Sequence, residues 1–390
     1  MNTKTGLDVL KENNFSQLKG YRAGLLINPA SVDRNFKHIA DLIYEEKDIT
    51  MSAIFGPQHG LYGNTQDNMI EWEGFIHPYY KCPVYSLYGE VREPKESMLS
   101  DIDIIVIDLP DVGARYYTFL WTALLMLKAV AKKDIKVILL DRPNPIRGDK
   151  IEGPSLNENF LSFVGLHPLI IRHGLTIGEA LTIIHRELKL TAELDVIAVK
   201  NWSRHMWHDE TGLPWVMPSP NMPTLDTATV YPGGCLIEGT LLSEGRGTTR
   251  PFEIIGAPYI DPFILAKDMK EFNLNGVYFR PLYFEPAFQK HGGKICGGIQ
   301  LHVTDRNKIE PVKTFVAILL AVRKRYEKEN LWRNPPYEYE YEKLPFDILS
   351  GSEKLRKDID RGENLEAIVS LWKEDKEKFK ERRKKYLLYE

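Results

Sequence analysis

Short apolar runs rich in β-branched residues recur through the first 141 residues and alternate with stretches whose apolar positions repeat at helical spacing. The runs predict five β-strands, namely RAGLLIN (22–28), SAIFG (52–56), PVYSLYG (83–89), IDIIVIDL (102–109) and KVILLD (136–141). The intervening stretches near 34–46, 94–100 and 116–132 predict crossover helices. This alternation predicts an α/β fold with a Rossmann-like parallel sheet and right-handed crossovers.

The pattern changes after Arg142, where a Pro- and Gly-rich stretch is typical of an extended surface connection. Further on, the periodicity predicts a helix near 176–190, strands at 194–199, 276–284 and 297–305, an amphipathic helix near 311–328 and two charged closing helices. A length of 390 residues favours two domains. We predict a first, Rossmann-like lobe over 1–200 and a second, smaller α/β lobe over 201–390 that completes a cleft, with the boundary between 145 and 215.

Composition and charge limit which partners and which cellular location are expected. Fifty-one basic against 54 acidic residues give a net charge of -3, and no basic stripe precedes the last helix, so nucleic acid is not expected as a partner. The amino terminus carries neither a signal peptide nor a membrane-spanning run, which favours a cytoplasmic protein, or a secreted one if a leader was removed. Cys82, Cys235 and Cys296 are widely spaced and predict buried filler residues, with neither disulfides nor a structural zinc site.

Polar side chains follow the predicted strands at their carboxyl ends. In an open α/β sheet these ends meet at one edge, where ligands bind. Any one of these residues could equally cap a turn or helix, but their joint recurrence predicts a binding cleft. The set comprises Asn28, Gln58, His59, Tyr88, Asp108, Asp111, Arg115, Asp141, Arg142 and Asn144.

The loop at 56–74 is the segment richest in hydrogen-bonding side chains. It combines glycine hinges with His59, Asp67 and Glu71, a composition typical of binding loops. Asp67 and Glu71 have no basic neighbour in sequence, so they are the better candidates for a protonated carboxyl, whereas Arg115 would hold Asp111 ionised. Glu71 and Glu73, each taken alone, are more simply explained as part of a solvated face.

A second polar segment, EGTLLSEGRGTTRPFE (238–253), places Glu238, Glu244 and Arg246 among glycines and hydroxyl residues. Carboxylates beside arginines can orient sugar hydroxyls. The glycines match neither a P-loop nor a dinucleotide fingerprint, so nucleotide binding has little support. Asn221, in a nearby proline-rich stretch, is fixed by a stiff backbone. We expect this segment to complete the cleft from the second lobe.

Several strings resemble those of one protein family: GPQHG, PVYSLYGE, IDLPDVGARYYTF, LDRPNPIRG, FVGLHP, RHGLTIGE, LPWVMPSPNMPT, YPGGCLIEGT and SEGRGTTRPFEIIGAP. They are similar, in the same order and from about Gly6 to Tyr389, to the NamZ-type exo-β-N-acetylmuramidases, long catalogued as a domain of unknown function. The resemblance implies a cleft between two lobes and release of N-acetylmuramic acid from the non-reducing ends of peptidoglycan fragments.

One position departs from the family's pattern. The family's Pro-Glu-His-Gly carries a glutamate proposed as catalytic, and this chain has Gln58 there. An amide cannot exchange a proton as a carboxyl group does. Asp67, Glu71 or Glu73, on the same loop, could take over the role, or this branch could act on another substrate.

The sequence therefore predicts a cell-wall recycling glycosidase that needs neither a metal nor an organic cofactor and acts on a small or oligosaccharide substrate. Two alternatives are a carbohydrate-binding protein that lost catalysis and a transferase acting on a sugar phosphate. The catalytic candidates are Asp67, Glu71, Asp111, His59 and Gln58. The candidates for substrate binding are Asn28, Arg115, Tyr116, Asp141, Arg142, Asn144, His173, Asn221, Glu238, Glu244 and Arg246, of which Arg115, Arg142 or Arg246 would meet the lactyl carboxylate.

Overall fold

The computed structural model describes residues 2–67 and 69–390 and is built around a seven-stranded, mostly parallel sheet. Its first six strands are β1 (Arg22–Ile27), β2 (Thr50–Gly56), β3 (Phe75–Ile76), β4 (Pro83–Ser86), β5 (Ile104–Asp108) and β6 (Lys136–Leu140). A separate antiparallel pair follows, β7 (Glu152–Ser155) and β8 (Ile170–Arg172), and β9 (Leu194–Ile197) then returns to the main sheet. The strand order is β3-β4-β2-β1-β5-β6-β9, and β3 pairs antiparallel.

Helices cover both faces of this sheet because the inward side chains of its strands are apolar on both sides. Leu25 and Ile27 face one cluster with α1 (Gly6–Glu12) and α2 (Ile39–Tyr44), whereas Leu26 faces the other with α3 (Phe119–Val130) and α4 (Ile177–Glu187). Two-sided burial is what near-continuous apolar runs predict for parallel strands. The predicted α/β class is confirmed, as are the five predicted strands of the first part and the strand at 194–199.

The second part of the chain adds a three-stranded antiparallel sheet in the order β10-β12-β11. Its elements are α5 (Leu225–Gly234), a 3-10 turn at Cys235–Gly239, β10 (Ile254–Ala257), α6 (Pro262–Met269), β11 (Val277–Phe284), β12 (Cys296–Val303) and α7 (Pro311–Arg325). The larger core cluster runs from Leu26 of the first sheet to Phe315 of α7 without interruption. The two parts therefore share one hydrophobic core, and the predicted boundary between 145 and 215 stays a prediction.

Two predictions about helices are corrected. The stretch near 94–100 forms only a 3-10 turn, Glu96–Met98. The carboxyl-terminal region holds four helices rather than two, namely α8 (Pro345–Ser350), α9 (Lys354–Asp360), α10 (Leu365–Ser370) and α11 (Trp372–Lys384). Helix α8 ends at Ser350 because Gly351 adopts φ +91°, a left-handed conformation that ends a helix and favours glycine.

Two further expectations concern cysteines and membranes. All three cysteines are free and buried, as predicted. Within 2–67 and 69–390, no helix combines the length and apolar character needed to cross a bilayer.

Candidate active site

A cavity with about 390 Å³ of space, part of it open to solvent, lies where the loops after β2 and β5 meet the second part of the chain. Its lining is unusually polar and comes from both parts of the chain: Gln58, His59, Tyr116, Tyr117, Thr118, Val164, Ser219, Asn221, Met222, Tyr231, Glu238, Arg246, Phe252, Tyr337 and Glu338. We call this space the central cavity.

The segment that carries Glu338 is a tight turn between Tyr337 and Glu340. The amide of each of these two residues donates to the carbonyl of the other, at 2.9 Å in both directions. The central residues Glu338 and Tyr339 have φ of +47° and +66°, as both central residues of a type I′ turn require. Neither is a glycine, so the turn holds a strained backbone, a feature that clusters at functional sites.

Neutral donors surround the Glu338 carboxyl. The Tyr88 hydroxyl lies 3.1 Å from Oε1 and 3.0 Å from Oε2, and Gln58 Nε2 lies 3.3 Å from Oε1. Burial, reinforced by the charge of Glu238, raises the pKa of Glu338 to about 7, although the bonds from Tyr88 and Gln58 oppose the rise. Gln58 Oε1 in turn accepts from Thr118 Oγ at 2.7 Å, which fixes the amide with its NH2 toward Glu338.

Glu238 is the second carboxylate in the central cavity, and both of its oxygens are engaged. Arg246 Nη2 donates to Oε1 at 2.8 Å and the Tyr337 hydroxyl donates to Oε2 at 2.8 Å. Burial alone would raise the pKa of Glu238, but the Arg246 guanidinium outweighs it and holds that pKa below its usual value. Behind this pair, Glu244 lies 3.4 Å from Arg246 Nε and 2.9 Å from Lys290 Nζ. Glu238 is therefore ionised beside a Glu338 that can hold a proton.

His59 lies in the same cavity as a neutral imidazole. Burial, and then the positive charge of Arg246, lowers the pKa of His59 to about 4. Its Nδ1 lies 2.6 Å from the Thr65 carbonyl, which can only accept, so Nδ1 carries the proton and Nε2 is an acceptor. The backbone of His59 also adopts a positive φ, of +70°.

The loop at 57–74 bridges to the second part of the chain through its backbone and side chains. The Gln66 carbonyl accepts from Asn221 Nδ2 at 2.6 Å, and Asp67 Oδ1 accepts from Gln289 Nε2 at 2.6 Å. Glu71 is exposed and lies 3.4 Å from the Tyr339 hydroxyl. The lining residues of the central cavity include neither Asp67 nor Glu71. The acid role predicted for these two residues stays a prediction.

A second cavity, with about 580 Å³ of open space, lies beside the central one and is lined by Asp111, Arg142, Trp215 and several prolines. Asp111 Oδ2 accepts from the Gly113 amide at 2.7 Å, and Oδ1 has no hydrogen-bond partner among the described residues. His173 Nε2 lies 3.6 Å from Oδ2, beyond a good hydrogen bond. Burial raises the pKa of Asp111 to about 7, although the sequence predicts an ionised carboxylate beside Arg115. The contact with Arg115 on which that prediction rests is not formed, because the guanidinium donates to the Leu169 and Leu349 carbonyls.

The raised pKa of Asp111 makes a testable prediction about stability. A carboxyl whose pKa rises on folding favours the folded state at low pH and loses that contribution as pH rises toward the folded-state pKa, here from about 4 to about 7. Between pH 5 and pH 7 the wild type should lose roughly 2 kcal/mol of unfolding free energy that Asp111→Asn does not lose. Urea titrations of both proteins at the two pH values measure this, and equal losses would mean that Asp111 ionises normally.

Other predicted site residues are occupied with structural contacts. Arg115 is buried and donates to the Leu169 and Leu349 carbonyls, and Tyr116, although it lines the central cavity, donates to the Pro232 carbonyl. Asp141 accepts from Thr176, Gly178 and Tyr389. Asn28 Nδ2 donates to the Pro218 carbonyl and Asn144 Nδ2 to the Leu175 carbonyl, both at 2.9 Å.

The residues predicted from strand ends thus divide among three environments. Gln58 and His59 line the central cavity, Asp111 and Arg142 line the second cavity, and Arg115 and Asp141 lie in the protein interior. From the second segment, Asn221, Glu238 and Arg246 reach the central cavity, while Glu244 lies behind Arg246. No group of three or more potential metal ligands occurs among residues 2–67 and 69–390.

Sequence reasoning missed Glu338 and Tyr337. They lie in PPYEYEYEK, whose alternating Tyr and Glu resemble an exposed strand. The available signal was the density of tyrosines beside glutamates, since tyrosine commonly places a hydroxyl on a buried acceptor. That signal alone does not connect position 338 with Gln58, which lies 280 residues away.

Two cavity carboxyls whose environments move their pKa values in opposite directions are the arrangement used by glycoside hydrolases. The comparisons with known proteins agree with this class. The family models described as exo-β-N-acetylmuramidase NamZ match the chain in two parts, the N-terminal one at residues 23–226 and the C-terminal one at 229–389. The chain therefore belongs to the exo-β-N-acetylmuramidase NamZ family, as its motifs predict.

Individual relatives cover almost the whole chain. The peptidoglycan β-N-acetylmuramidase NamZ of Bacillus subtilis (strain 168) is 42% identical over 387 residues, which is 99% of this chain and 91% of that protein. Two crystal structures of DUF1343 family proteins from Bacteroides fragilis have the same fold. One has a TM-score of 0.88 at 32% identity and the other 0.77 at 29%, and each alignment covers 100% of this chain and 99% of the other.

Proposed function

We propose that this protein is an exo-acting glycosidase that removes terminal N-acetylmuramic acid from peptidoglycan fragments, with the sugar held in the central cavity. The observation that carries the proposal is the pair of carboxyls in that cavity, Glu238 ionised and Glu338 able to hold a proton. The activity named for the Bacillus subtilis relative, 42% identical along the chain, supports the same reaction.

The charge arrangement also fits the distinguishing group of this sugar, its lactyl carboxylate. Of the three arginines predicted to meet it, only Arg246 lines the central cavity. Arg142 is held by Asp108 beside the second cavity, and Arg115 binds main-chain carbonyls. A planar guanidinium can bind a carboxylate through two parallel hydrogen bonds. We assign Arg246 to the lactyl group, with Asn221 and neutral His59 as hydrogen-bonding partners for hydroxyl and amide groups.

Turnover of 4-nitrophenyl β-N-acetylmuraminide tests the proposal directly. We expect release of nitrophenol and free N-acetylmuramic acid, and at least tenfold slower turnover of the N-acetylglucosaminide, which lacks the lactyl carboxylate. A lost charged contact of this kind removes more than about 1.4 kcal/mol of transition-state stabilisation.

Ligand-induced thermal stabilisation separates the alternatives. A protein that is stabilised by N-acetylmuramic acid but releases no nitrophenol would be a binding protein. Stabilisation by sugar phosphates, without stabilisation by the free sugar, would favour a transferase.

A further inference from the structure

We infer that Glu338 is the residue that protonates the departing glycosidic oxygen, with Gln58 as its positioning partner. This inference rests on the proposed function. It assigns the proton donor to a residue outside the loop at 57–74, at the tip of the strained turn between Tyr337 and Glu340.

Among the residues named above as lining the central cavity, Glu238 and Glu338 are the two carboxyls. Glu238 is bound at one oxygen by the Arg246 guanidinium, which keeps it ionised and unable to donate a proton. Glu338 receives hydrogen bonds from a hydroxyl and an amide, both neutral, and burial together with the charge of Glu238 outweighs the charge of Arg246, so Glu338 can hold a proton.

Gln58, which stands where the family has a carboxyl, positions Glu338. Its Oε1 accepts from Thr118, so its Nε2 is aimed at Tyr88 and Glu338, at 3.0 and 3.3 Å. An amide cannot transfer the proton, but it can hold the Glu338 carboxyl in place and stabilise the carboxylate that remains after transfer. The Tyr88 hydroxyl, which also accepts from the Met69 amide, adds a second bond to that carboxylate.

The proton balance is complete without any further reagent. The Glu338 O–H donates its proton to the glycosidic oxygen as the bond from that oxygen to the anomeric carbon breaks, with the electron pair going to the oxygen. The anomeric carbon is then attacked by water or by the acetamido oxygen of the sugar itself. In the acetamido route, water then opens the resulting oxazolinium ring from the face that the leaving group vacated, and the Glu338 carboxylate removes a proton from that water and is restored to its starting state. In the direct route, water attacks the opposite face, a second base such as the ionised Glu238 takes its proton, and that proton returns to Glu338 through bulk water.

The surroundings of Glu338 set the direction of its pH dependence. The charged and titratable groups around it are Glu238 and Arg246 from the second polar segment, Tyr88 after β4, and Tyr339 in its own turn. Burial dominates and raises the pKa of Glu338 to about 7. Because the acid must be protonated, kcat should fall as pH rises above about 7, tenfold per pH unit in the limit.

The decisive experiment compares two leaving groups in Glu338→Gln. A disaccharide with N-acetylmuramic acid at its non-reducing end has a poor leaving group that needs protonation, whereas 2,4-dinitrophenol leaves without it. We expect a 10²- to 10⁴-fold loss of kcat on the disaccharide and less than tenfold on the dinitrophenyl glycoside. Glu340→Gln, at the other end of the same turn and bonded to the Lys343 amide, is the matched control and should keep wild-type turnover on both substrates.

The inference is wrong if Glu338→Gln turns over the disaccharide at the wild-type rate. It is also wrong if Glu338→Gln still binds N-acetylmuramic acid but loses turnover equally on both substrates. Selective loss of disaccharide turnover in Asp67→Asn or Glu71→Gln would assign the acid to the loop instead. If Glu338→Gln does not fold, Gln58→Glu provides the test. A second carboxyl 3.3 Å from Glu338 should move the alkaline limb of the kcat profile to higher pH, and an unmoved limb counts against Glu338. A wild type that cleaves neither substrate would refute the proposed function rather than this assignment.

Discussion

Replacing Arg246 by methionine is expected to lower the free energy of unfolding by about 3–5 kcal/mol and to abolish measurable turnover. Arg246 is buried between Glu238 and Glu244, at 2.8 and 3.4 Å. Removing one member of a buried ionic group leaves charge that water no longer reaches and that has lost its counter-charge. Lys290 would remain to neutralise Glu244, at 2.9 Å, so most of the cost falls on Glu238.

Urea unfolding monitored by tryptophan fluorescence measures this loss. Arg250→Met is the matched control, because Arg250 makes one 3.5 Å contact with Glu253 and its side chain is 45% exposed. The contact is long, and the buried Glu253 keeps its hydrogen bond from Thr227 Oγ1 at 2.6 Å, so the control should lose only about 0–1 kcal/mol. Comparable losses of unfolding free energy in the two variants would show that water reaches Arg246 and its carboxylate partners in solution.

A second large loss of stability, again about 3–5 kcal/mol, is expected from Arg142→Met. Asp108 at the end of β5 is completely buried, and Arg142 Nη2 donates to its Oδ2 at 2.8 Å and to the Val32 carbonyl at 3.0 Å. Without Arg142, the Asp108 carboxylate loses its cation while it remains inaccessible to water. Chemical denaturation at neutral pH gives the measurement.

The double variant Asp108→Leu/Arg142→Met separates the two contributions to that loss. When both charges are removed and the volume is filled with apolar groups, a buried ion pair is often dispensable, so we expect recovery of most of the stability. Arg147→Met, which breaks a partly exposed pair with Asp149, is expected to cost about 0–1 kcal/mol. A double variant no more stable than Arg142→Met would show that the pair also has a positional role in closing the edge of the sheet.

The parallel sheet could be predicted from the sequence because its strands are buried on both faces and their apolar runs leave no competing interpretation. The helical conformation of the segment YPGGCLIEG could not be predicted, since Pro-Gly-Gly is typical of a turn. In the structure, α5 continues through Pro232 and Gly233 into a 3-10 turn that carries Glu238. The reason is tertiary: a Cβ on Gly233 would lie 2.1 Å from the Pro311 carbonyl of α7, so the glycine permits the close helix contact.

Some residues of the candidate site could likewise be predicted from the sequence and others could not. Gln58, His59 and Arg246 could be predicted because motif loops concentrate polar residues within a few positions of one another. Glu338 could not, because its role depends on a left-handed backbone and on contacts with Tyr88 and Gln58, 250 and 280 residues away. The acid role of Asp67 or Glu71 rests on the absence of basic neighbours in sequence, and it stays a prediction.

The placement of Glu238 and Glu338 together in the central cavity also has a consequence for how a glycan sample would be digested. An exo-acting enzyme that holds one terminal sugar there acts on the ends of a strand and not on its middle. Free sugar should therefore accumulate from the first minutes of digestion while the strand-length distribution and the viscosity of the solution hardly change. The initial rate should scale with the number of chain ends, so sonicated strands of the same total mass would be digested faster than intact ones.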